Sequence, residues 1–290
     1  MSERIYSTRE LAQVWNVSES TVKRWSDSGE LLCYRTPGGH RKFHLQDICN
    51  YQKSRGFEAT GLLTTEQWEN PEIEESLNRK NFDKIRKLVH YLALQNQRSR
   101  IRNLVERLYM RGIGLSDIYD DILIPVLERS QKELEANEIS FGYAELLKNN
   151  LDTSMSLLFP ELIRRRQNGK TGLCAAPDDT CRILLNALSQ IIEVEGWDCL
   201  NLGNRIPCNA MADMVNEEPI NLVCVTCSDS TNLDHKNFKT LANVATKHCV
   251  PLVILGTGFS DPKLRKKLSH KKYFVNFHSF QNYLIRLSSN

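Results

Sequence analysis

Hydrophobic and polar positions follow three different patterns along the chain. Between residues 6 and 57, short helical stretches flank a glycine-rich turn, whereas apolar residues recur at helical spacing from residue 71 to about 166. From residue 171 onward, short apolar runs alternate with longer amphipathic stretches, which is typical of repeated strand–helix units and a parallel sheet. The pattern predicts a multidomain α and α/β protein with domains at residues 1–57, 71–166 and 171–290.

The first segment opens with a local signal for a helix. The run Ser7-Thr8-Arg9-Glu10 fits a capping box. In this motif the Ser7 hydroxyl accepts a hydrogen bond from the Glu10 amide, and the Glu10 carboxylate accepts one from the Ser7 amide. Asn16-Val17-Ser18 breaks this helix, and Ser18 is expected to cap a second helix that ends near Gly29.

The second helix and the hairpin after it expose side chains suited to DNA. Val22 and Trp25 lie three residues apart on the buried side of the helix, which leaves its polar residues facing outward. The turn Pro37-Gly38-Gly39 joins two short strands with a basic tip, and a third helix from about Leu45 closes a small core. This order predicts a winged helix-turn-helix; the alternative is a small helical domain with solvated charges. The predicted DNA-binding residues are Ser20, Thr21, Lys23 and Arg24 on the helix and Arg35, His40, Arg41 and Lys42 on the hairpin.

The second segment predicts a four-helix bundle. Apolar residues recur at helical spacing from Leu77 to Leu92 and from Ile101 to Leu108, and two further helices follow. Ser116-Asp117 is expected to cap the third helix and Pro125 to kink it, and the last helix is expected over 140–165. The charges of this segment balance, so we interpret it as a connector or dimerisation surface and assign it no catalytic residue.

The third segment predicts a flavodoxin-like doubly wound parallel sheet. The expected strands contain residues 199–202, 222–225, 250–255 and 273–277. Ligands of such sheets lie beyond the carboxyl ends of the strands, which makes the loops at 176–179, 203–207, 227–231 and 256–260 candidate pocket walls. Cys224 and Cys227 have the spacing of a zinc or redox pair. Residues three apart on a strand face opposite sides, so we interpret both as structural.

Two parts of the chain resemble known families. The stretch from Tyr6 to Gln52 resembles the DNA-binding domain of MerR-type and excisionase-type regulators, and residues 35–43 (RTPGGHRKF) resemble the wing of that family. With the bundle and the third segment, nearly the whole chain resembles the MerR-type regulators with a cobalamin-binding light-sensor region that control carotenoid genes. The resemblance implies a DNA-binding regulator with a C-terminal cobalamin-binding-like module.

Residues 179–184 depart from that family's cobalamin motif. In the family, an Asp/Glu-x-His-x-x-Gly motif supplies a histidine that ligates cobalt and a glycine that lets the ring and its tail approach the backbone. Here Cys181 stands at the histidine position and Leu184 at the glycine position. A thiolate can ligate a metal, but the branched Leu184 fits the tail poorly. Ser228 and Gly256 match positions that line the tail, or else they belong to ordinary tight turns.

The family's residues above the corrin ring are replaced as well, by Leu134, Ala144 and Glu145. No cofactor is therefore predicted, and cobalamin is a disfavoured alternative. The predicted function is a DNA-binding transcriptional regulator that is a cobalamin-independent member of this family. The alternatives are a cobalamin-dependent light-sensing regulator, a protein-interaction scaffold, and a regulator that senses oxidation of Cys181. No histidine has a context that marks a base and nucleophile pair, so no enzyme activity is expected.

Composition narrows the class of protein. Charged residues make up 25% and hydrophobic residues 41% of the chain, as in soluble globular proteins, and no apolar run suits a membrane span or signal peptide. The nine cysteines are scattered, which predicts reduced thiols and a cytoplasmic protein without a membrane partner. The net charge of +3 is too small to indicate nucleic-acid binding by itself. The basic cluster from Lys263 to Lys272 is interpreted as a solvated helix face. The expected partners are a double-stranded DNA operator, further copies of the chain in a homo-oligomer, and a protein partner of the C-terminal module.

Overall fold

The computed structural model describes residues 5–56, 71–162, 164–178, 182–227, 234–256 and 272–288. Two compact units make up the chain, Met1–Ile163 and Arg164–Asn290. The three predicted domain ranges, including the separation of residues 1–57 from 71–166, stay a prediction.

The N-terminal part of the first unit combines three helices with a small antiparallel sheet. Its elements are β1 Ile5–Ser7, α1 Thr8–Val14, α2 Glu19–Asp27, β2 Tyr34–Arg35, β3 Arg41–His44 and α3 Leu45–Arg55. The sheet has the order β1-β3-β2. The predicted capping box is confirmed, since the Glu10 amide donates to Ser7 Oγ at 3.3 Å and the Ser7 amide donates to Glu10 Oε2 at 2.7 Å. Ser18 caps α2 as predicted.

Aromatic side chains hold these three helices together. Trp15 at the end of α1, Trp25 of α2 and Tyr51 of α3 place their ring centroids 5.3–5.8 Å apart in pairs, with the two indoles close to perpendicular. Aromatic pairs of this geometry add to the free energy gained from burial. The hairpin side is anchored by Tyr6 and Phe43, which face each other across β1 and β3 and are both fully buried. The core thus fixes α2 and the hairpin within one small domain.

A helical bundle makes up the rest of the first unit. Its elements are α4 Pro71–Asn78, α5 Phe82–Leu94, α6 Arg98–Met110, α7 Leu115–Ile118, a π-helical turn Tyr119–Leu123, α8 Ile124–Glu135 and α9 Phe141–Leu158. Among the described residues, α5, α6, the continuous α7–α8 segment and α9 are the four predicted helices, and the short α4 precedes them. Ser116 does not cap the third helix, because Gly114 is its N-cap and Ser116 is buried. Pro125 lies in the first turn of α8 after the π turn, and α9 ends at Leu158, earlier than predicted.

Buried polar side chains cross-link the bundle. Asn150 of α9 is fully buried, donates to the Ala93 carbonyl at 2.8 Å, and accepts from Arg98 Nε at 2.6 Å. His90 of α5 lies 2.7 Å from Glu133 of α8. A buried polar group without its partner costs far more than the bond contributes, so these contacts select one packing of the helices.

The second unit is a parallel five-stranded sheet with helices between its strands. Its elements are β4 Thr171–Ala175, α10 Arg182–Val194, β5 Asp198–Gly203, α11 Cys208–Glu217, β6 Leu222–Thr226, α12 His235–Lys247, β7 Leu252–Leu255, β8 Lys272–Phe274 and α13 Phe277–Ser288. The strand order β5-β4-β6-β7-β8 is that of a flavodoxin-like doubly wound sheet, and every pair is parallel. The chain reverses its winding between β4 and β6, where such folds place ligands. Apolar residues of β4, β6 and β7 pack with α11 and α12 in one core.

Candidate nucleic-acid interface

Helix α2 presents a polar surface away from the core of its domain. Val22 is fully buried on the inner side, whereas Ser20, Lys23 and Arg24 are exposed and Thr21 is half-buried. Residues three and four apart share a helix face, so Ser20, Lys23 and Arg24 form one outward surface. A helix with such a surface has the dimensions and donors to enter a major groove.

The hydroxyls of Ser20 and Thr21 are ordered by the start of α2. Ser18 Oγ accepts from the Thr21 amide at 3.2 Å and lies 2.7 Å from Ser20 Oγ and 2.9 Å from Thr21 Oγ1. A hydroxyl has one donor and two acceptor sites, so both side chains keep capacity for a further hydrogen bond. The helix cap therefore also positions two of the predicted DNA-binding groups.

The predicted basic hairpin is formed by β2 and β3. The Thr36 amide donates to the His40 carbonyl at 3.0 Å, and the Gly39 amide donates to the Thr36 carbonyl at 2.8 Å. Gly39 has a φ of 77°, in the left-handed region that favours glycine, which explains this residue in the turn. His40 is exposed at the tip, and Lys42 is half-buried in β3. We refer to residues 34–44 as the wing.

Two of the predicted wing cations contact a carboxylate of α2. Arg41 Nη2 donates to Asp27 Oδ1 at 2.5 Å and to Oδ2 at 2.8 Å, and Arg35 Nη2 donates to Oδ1 at 2.8 Å. The hydrogen bond from Arg41 is the main reason that the pKa of Asp27 lies below its usual value. The sequence analysis predicted Arg35 and Arg41 as DNA-binding residues of the hairpin. In the structure they are joined to α2, and nothing in the sequence pattern indicated Asp27.

A concave surface of about 430 Å³ lies between the starts of α1 and α2 and the wing. Lys23 and Lys42 bring predicted cations to it, and Arg9, exposed in the first turn of α1, adds one that sequence reasoning missed. Glu19 contributes the acidic group. The remaining lining residues are Ser7, Thr8, Thr36, Gly39, His40 and Arg41. Clustered cations around a concavity of this kind suit the phosphate backbone of a duplex.

The carboxyl edge of the sheet is a second candidate site, which contains two of the four predicted pocket residues among those described, Leu184 and Gly256. Leu184, one of the four pocket candidates, lies half-buried in the first turn of α10. Gly256 has a φ of 117°, and a Cβ there would lie 2.4 Å from the Cys227 carbonyl oxygen. The chain's own backbone therefore requires this glycine, without any ligand. Cys181 and Ser228, the other two pocket candidates, lie outside the described residues.

Asp178 and Cys227 meet where the sheet reverses its winding. Both are buried, and Cys227 Sγ donates to Asp178 Oδ2 at 3.4 Å. A side chain after β4 thus contacts one after β6, so this contact occupies part of the space at the winding reversal.

The thiols of Cys174, Cys224 and Cys227 lie within the packed interior of the second unit. Cys174 Sγ lies 3.7 Å from Cys199 Sγ and also interacts with Cys224, whereas Cys227 belongs to the core under α11 and α12. Cys224 and Cys227 therefore lie on different sides of the sheet, as their spacing predicted. Within the described ranges, no three His, Cys, Asp or Glu side chains are grouped so that they could hold a metal ion.

Comparison with protein families finds a match in the N-terminal part of the chain. A family described as a helix-turn-helix domain matches residues 5–56, the same stretch that carries α2 and the wing. The comparison with curated protein sequences finds no match. Among the helices of the described residues, none has the length and apolar character that crossing a bilayer requires.

The comparison with solved structures finds a similar fold for a large part of the chain. A monomethylamine corrinoid protein of Methanosarcina barkeri is 14% identical, with a TM-score of 0.58 over 71% of this chain and 99% of that one. A cobalamin-binding protein of Desulfitobacterium hafniense DCB-2 is also 14% identical, with a TM-score of 0.36 over 73% of this chain and 95% of that one. At this identity the first likeness shows a common fold, in agreement with the helices and parallel sheet described above.

Proposed function

We propose that the protein is a DNA-binding transcriptional regulator of the MerR type that acts without cobalamin. The observation that carries this proposal is the joint placement of the exposed α2 surface and the wing around one cationic concavity. In this reading α2 enters the major groove, and the wing contacts the neighbouring phosphates. The helix-turn-helix match over residues 5–56 supports the same assignment.

The assembly follows from the size of the interface. One small domain makes few phosphate contacts, so useful affinity at physiological salt requires two half-sites read by a homo-oligomer. We place the protein in the cytoplasm and assign it no enzyme activity. The module with the flavodoxin-like sheet would then serve assembly, a protein partner or a signal.

Duplex selection tests the proposal directly. The intact chain is incubated with a random-sequence duplex library, and the enriched sequence is compared with a scrambled duplex of the same composition. Arg24→Ala removes an exposed cation of α2 and is expected to weaken binding to the enriched duplex. Arg79→Ala removes an exposed cation from the turn that follows α4 and serves as the matched control. Failure to enrich any sequence, or equal loss in both variants, would contradict the proposal.

A cobalamin-dependent regulator is the second candidate, favoured by the shared fold with a corrinoid protein. It is separated from the first by adding adenosylcobalamin in the dark and recording the visible spectrum after gel filtration. Stoichiometric corrin bound to the chain, with a change in duplex affinity on illumination, would replace the proposal of cobalamin independence. We expect no corrin to co-elute, because Leu184 occupies the position of the family's glycine.

A further inference from the structure

Asp27 joins the last turn of α2 to both strands of the wing. Arg41 binds both carboxylate oxygens and Arg35 binds one of them. The exposed fraction of the side chain is 51% for Asp27, 54% for Arg35 and 15% for Arg41. The arrangement therefore combines a largely exposed carboxylate with one guanidinium that is mostly covered and one that is accessible.

The two arginines alone would destabilise the wing. Arg35 and Arg41 are directly opposite each other in the register of β2 and β3. Like charges at such positions repel, and the repulsion would spread the hairpin. A carboxylate between the two guanidinium groups offsets this repulsion with three charge-assisted hydrogen bonds.

The carboxylate is also poorly placed for its own helix. Asp27 is the last residue of α2, where the negative end of the helix dipole disfavours an anion. Helix stability therefore gives no reason for an acid at this position. The favourable interactions described for its carboxylate are the three hydrogen bonds from Arg35 and Arg41 of the wing.

We propose that Asp27 is a positioning residue that fixes the wing relative to α2, so that both reach the duplex in one register. This inference rests on the DNA-binding function proposed above. Arg35 and Arg41 each have five N–H donors, and the contacts with Asp27 use only Nη2 of each. Arg35, whose side chain is 54% exposed, thus keeps donors for phosphate while the carboxylate holds both side chains.

A competing role for Asp27 predicts the opposite effect. If the carboxylate merely occupied the arginines in place of phosphate, its removal would raise the affinity for every duplex. If it positions the wing, its removal leaves non-specific attraction intact or slightly stronger, because one negative charge is gone, but it lowers the affinity for the enriched duplex.

The test compares Asp27→Asn with Glu30→Gln in the full chain. Both substitutions remove one negative charge from the same domain, but Glu30 is paired with Arg55 of α3 and does not contact the wing. The first measurement is the ratio of affinities for the enriched and the scrambled duplex. We expect Asp27→Asn to lower this ratio about fivefold and Glu30→Gln to leave it unchanged.

The second measurement does not involve DNA. Trypsin cleaves after arginine and lysine, so the initial rate of cleavage at Arg35, Arg41 and Lys42 reports how firmly the wing is held. We expect Asp27→Asn to raise this rate about fivefold over the wild type, with no change in Glu30→Gln. Melting temperatures of the three proteins check that the fold is retained.

The outcomes separate the two proposals. If the wild-type chain enriches no duplex, the DNA-binding function is refuted, and the positioning role in recognition is refuted with it. If the wild type discriminates but Asp27→Asn keeps its affinity ratio, or binds both duplexes more tightly by the same factor, only the positioning role is refuted. An unchanged cleavage rate in Asp27→Asn equally overturns the idea that this carboxylate holds the wing.

Discussion

Removing two cations from the concave surface should reduce the salt dependence of DNA binding by a calculable amount. Lys23 of α2 and Lys42 of the wing both line this surface, and the only ion pair described for either is a long 4.0 Å contact between Lys23 and Glu19. Each phosphate contact contributes about 0.9 to the slope of log affinity against log salt concentration, so the Lys23→Ala, Lys42→Ala variant should lose about 1.8 per domain. For each bound domain, the affinity deficit should be about twelvefold larger at 50 mM than at 200 mM salt.

Fluorescence anisotropy of a labelled duplex across this salt range measures both slopes. The matched control is Lys84→Ala, Lys87→Ala, which removes two exposed cations from α5 and lowers the formal net charge of +3 by the same two units. The control should keep the wild-type slope. Equal slopes of log affinity against log salt concentration for the wild type and the Lys23→Ala, Lys42→Ala variant would refute the placement of these side chains against phosphate. An equal loss in the control would show that overall charge alone governs binding.

Three further results are expected from the interior of the protein. Asn150→Leu should lower the free energy of unfolding by about 2 kcal/mol, because the buried Ala93 carbonyl loses its donor and Arg98 Nε loses its acceptor. Asn149→Leu at the exposed neighbouring position should have little effect in urea titrations. Burial raises the pKa of Glu133, but hydrogen bonds and charges from neighbouring basic groups outweigh it and leave that pKa below 4.5. The ionised form therefore stabilises the fold above pH 4.5, and this stabilisation is lost as the pH falls through the lowered pKa. Glu133→Gln should therefore flatten the dependence of the free energy of unfolding on pH in this range. Burial raises the pKa of Cys208 to about 12, so alkylation at pH 8 followed by mass spectrometry should modify the exposed Cys249 well before Cys208; equal rates would contradict the described burial.

Local contacts are the part of this fold that the sequence could predict. The capping box of Ser7 and Glu10 and the turn at Gly39 depend on residues within four positions of each other, so their side-chain chemistry is legible in the sequence. The strands of the second unit could be predicted from the sequence for a different reason. A parallel strand is buried on both faces, so it reads as a short continuous apolar run, as in Leu222–Thr226.

Contacts between distant segments could not be predicted in the same way. Strand β1 is only three residues long and exists because it pairs with β3, far along the chain. From the sequence, Asp27 resembles any solvated acidic residue at the end of a helix. Its partner Arg41 comes close to it only because the hairpin folds back onto α2. Ser116 looked like a cap because Ser and Asp favour that position, but the chain entered the helix two residues earlier at Gly114. For the site, the sequence named most of the cations but neither Arg9 nor the carboxylate that orders two of them.

The three touching rings of Trp15, Trp25 and Tyr51 give this domain an optical signature of its own. Two of the chain's four indoles are held edge to face across the joint between α1 and α2. Asymmetric coupling between such rings produces near-ultraviolet circular dichroism only while tertiary packing is intact. The tertiary packing of the N-terminal domain can therefore be followed without a label. This signal is separate from the far-ultraviolet backbone signal of the helices elsewhere in the chain.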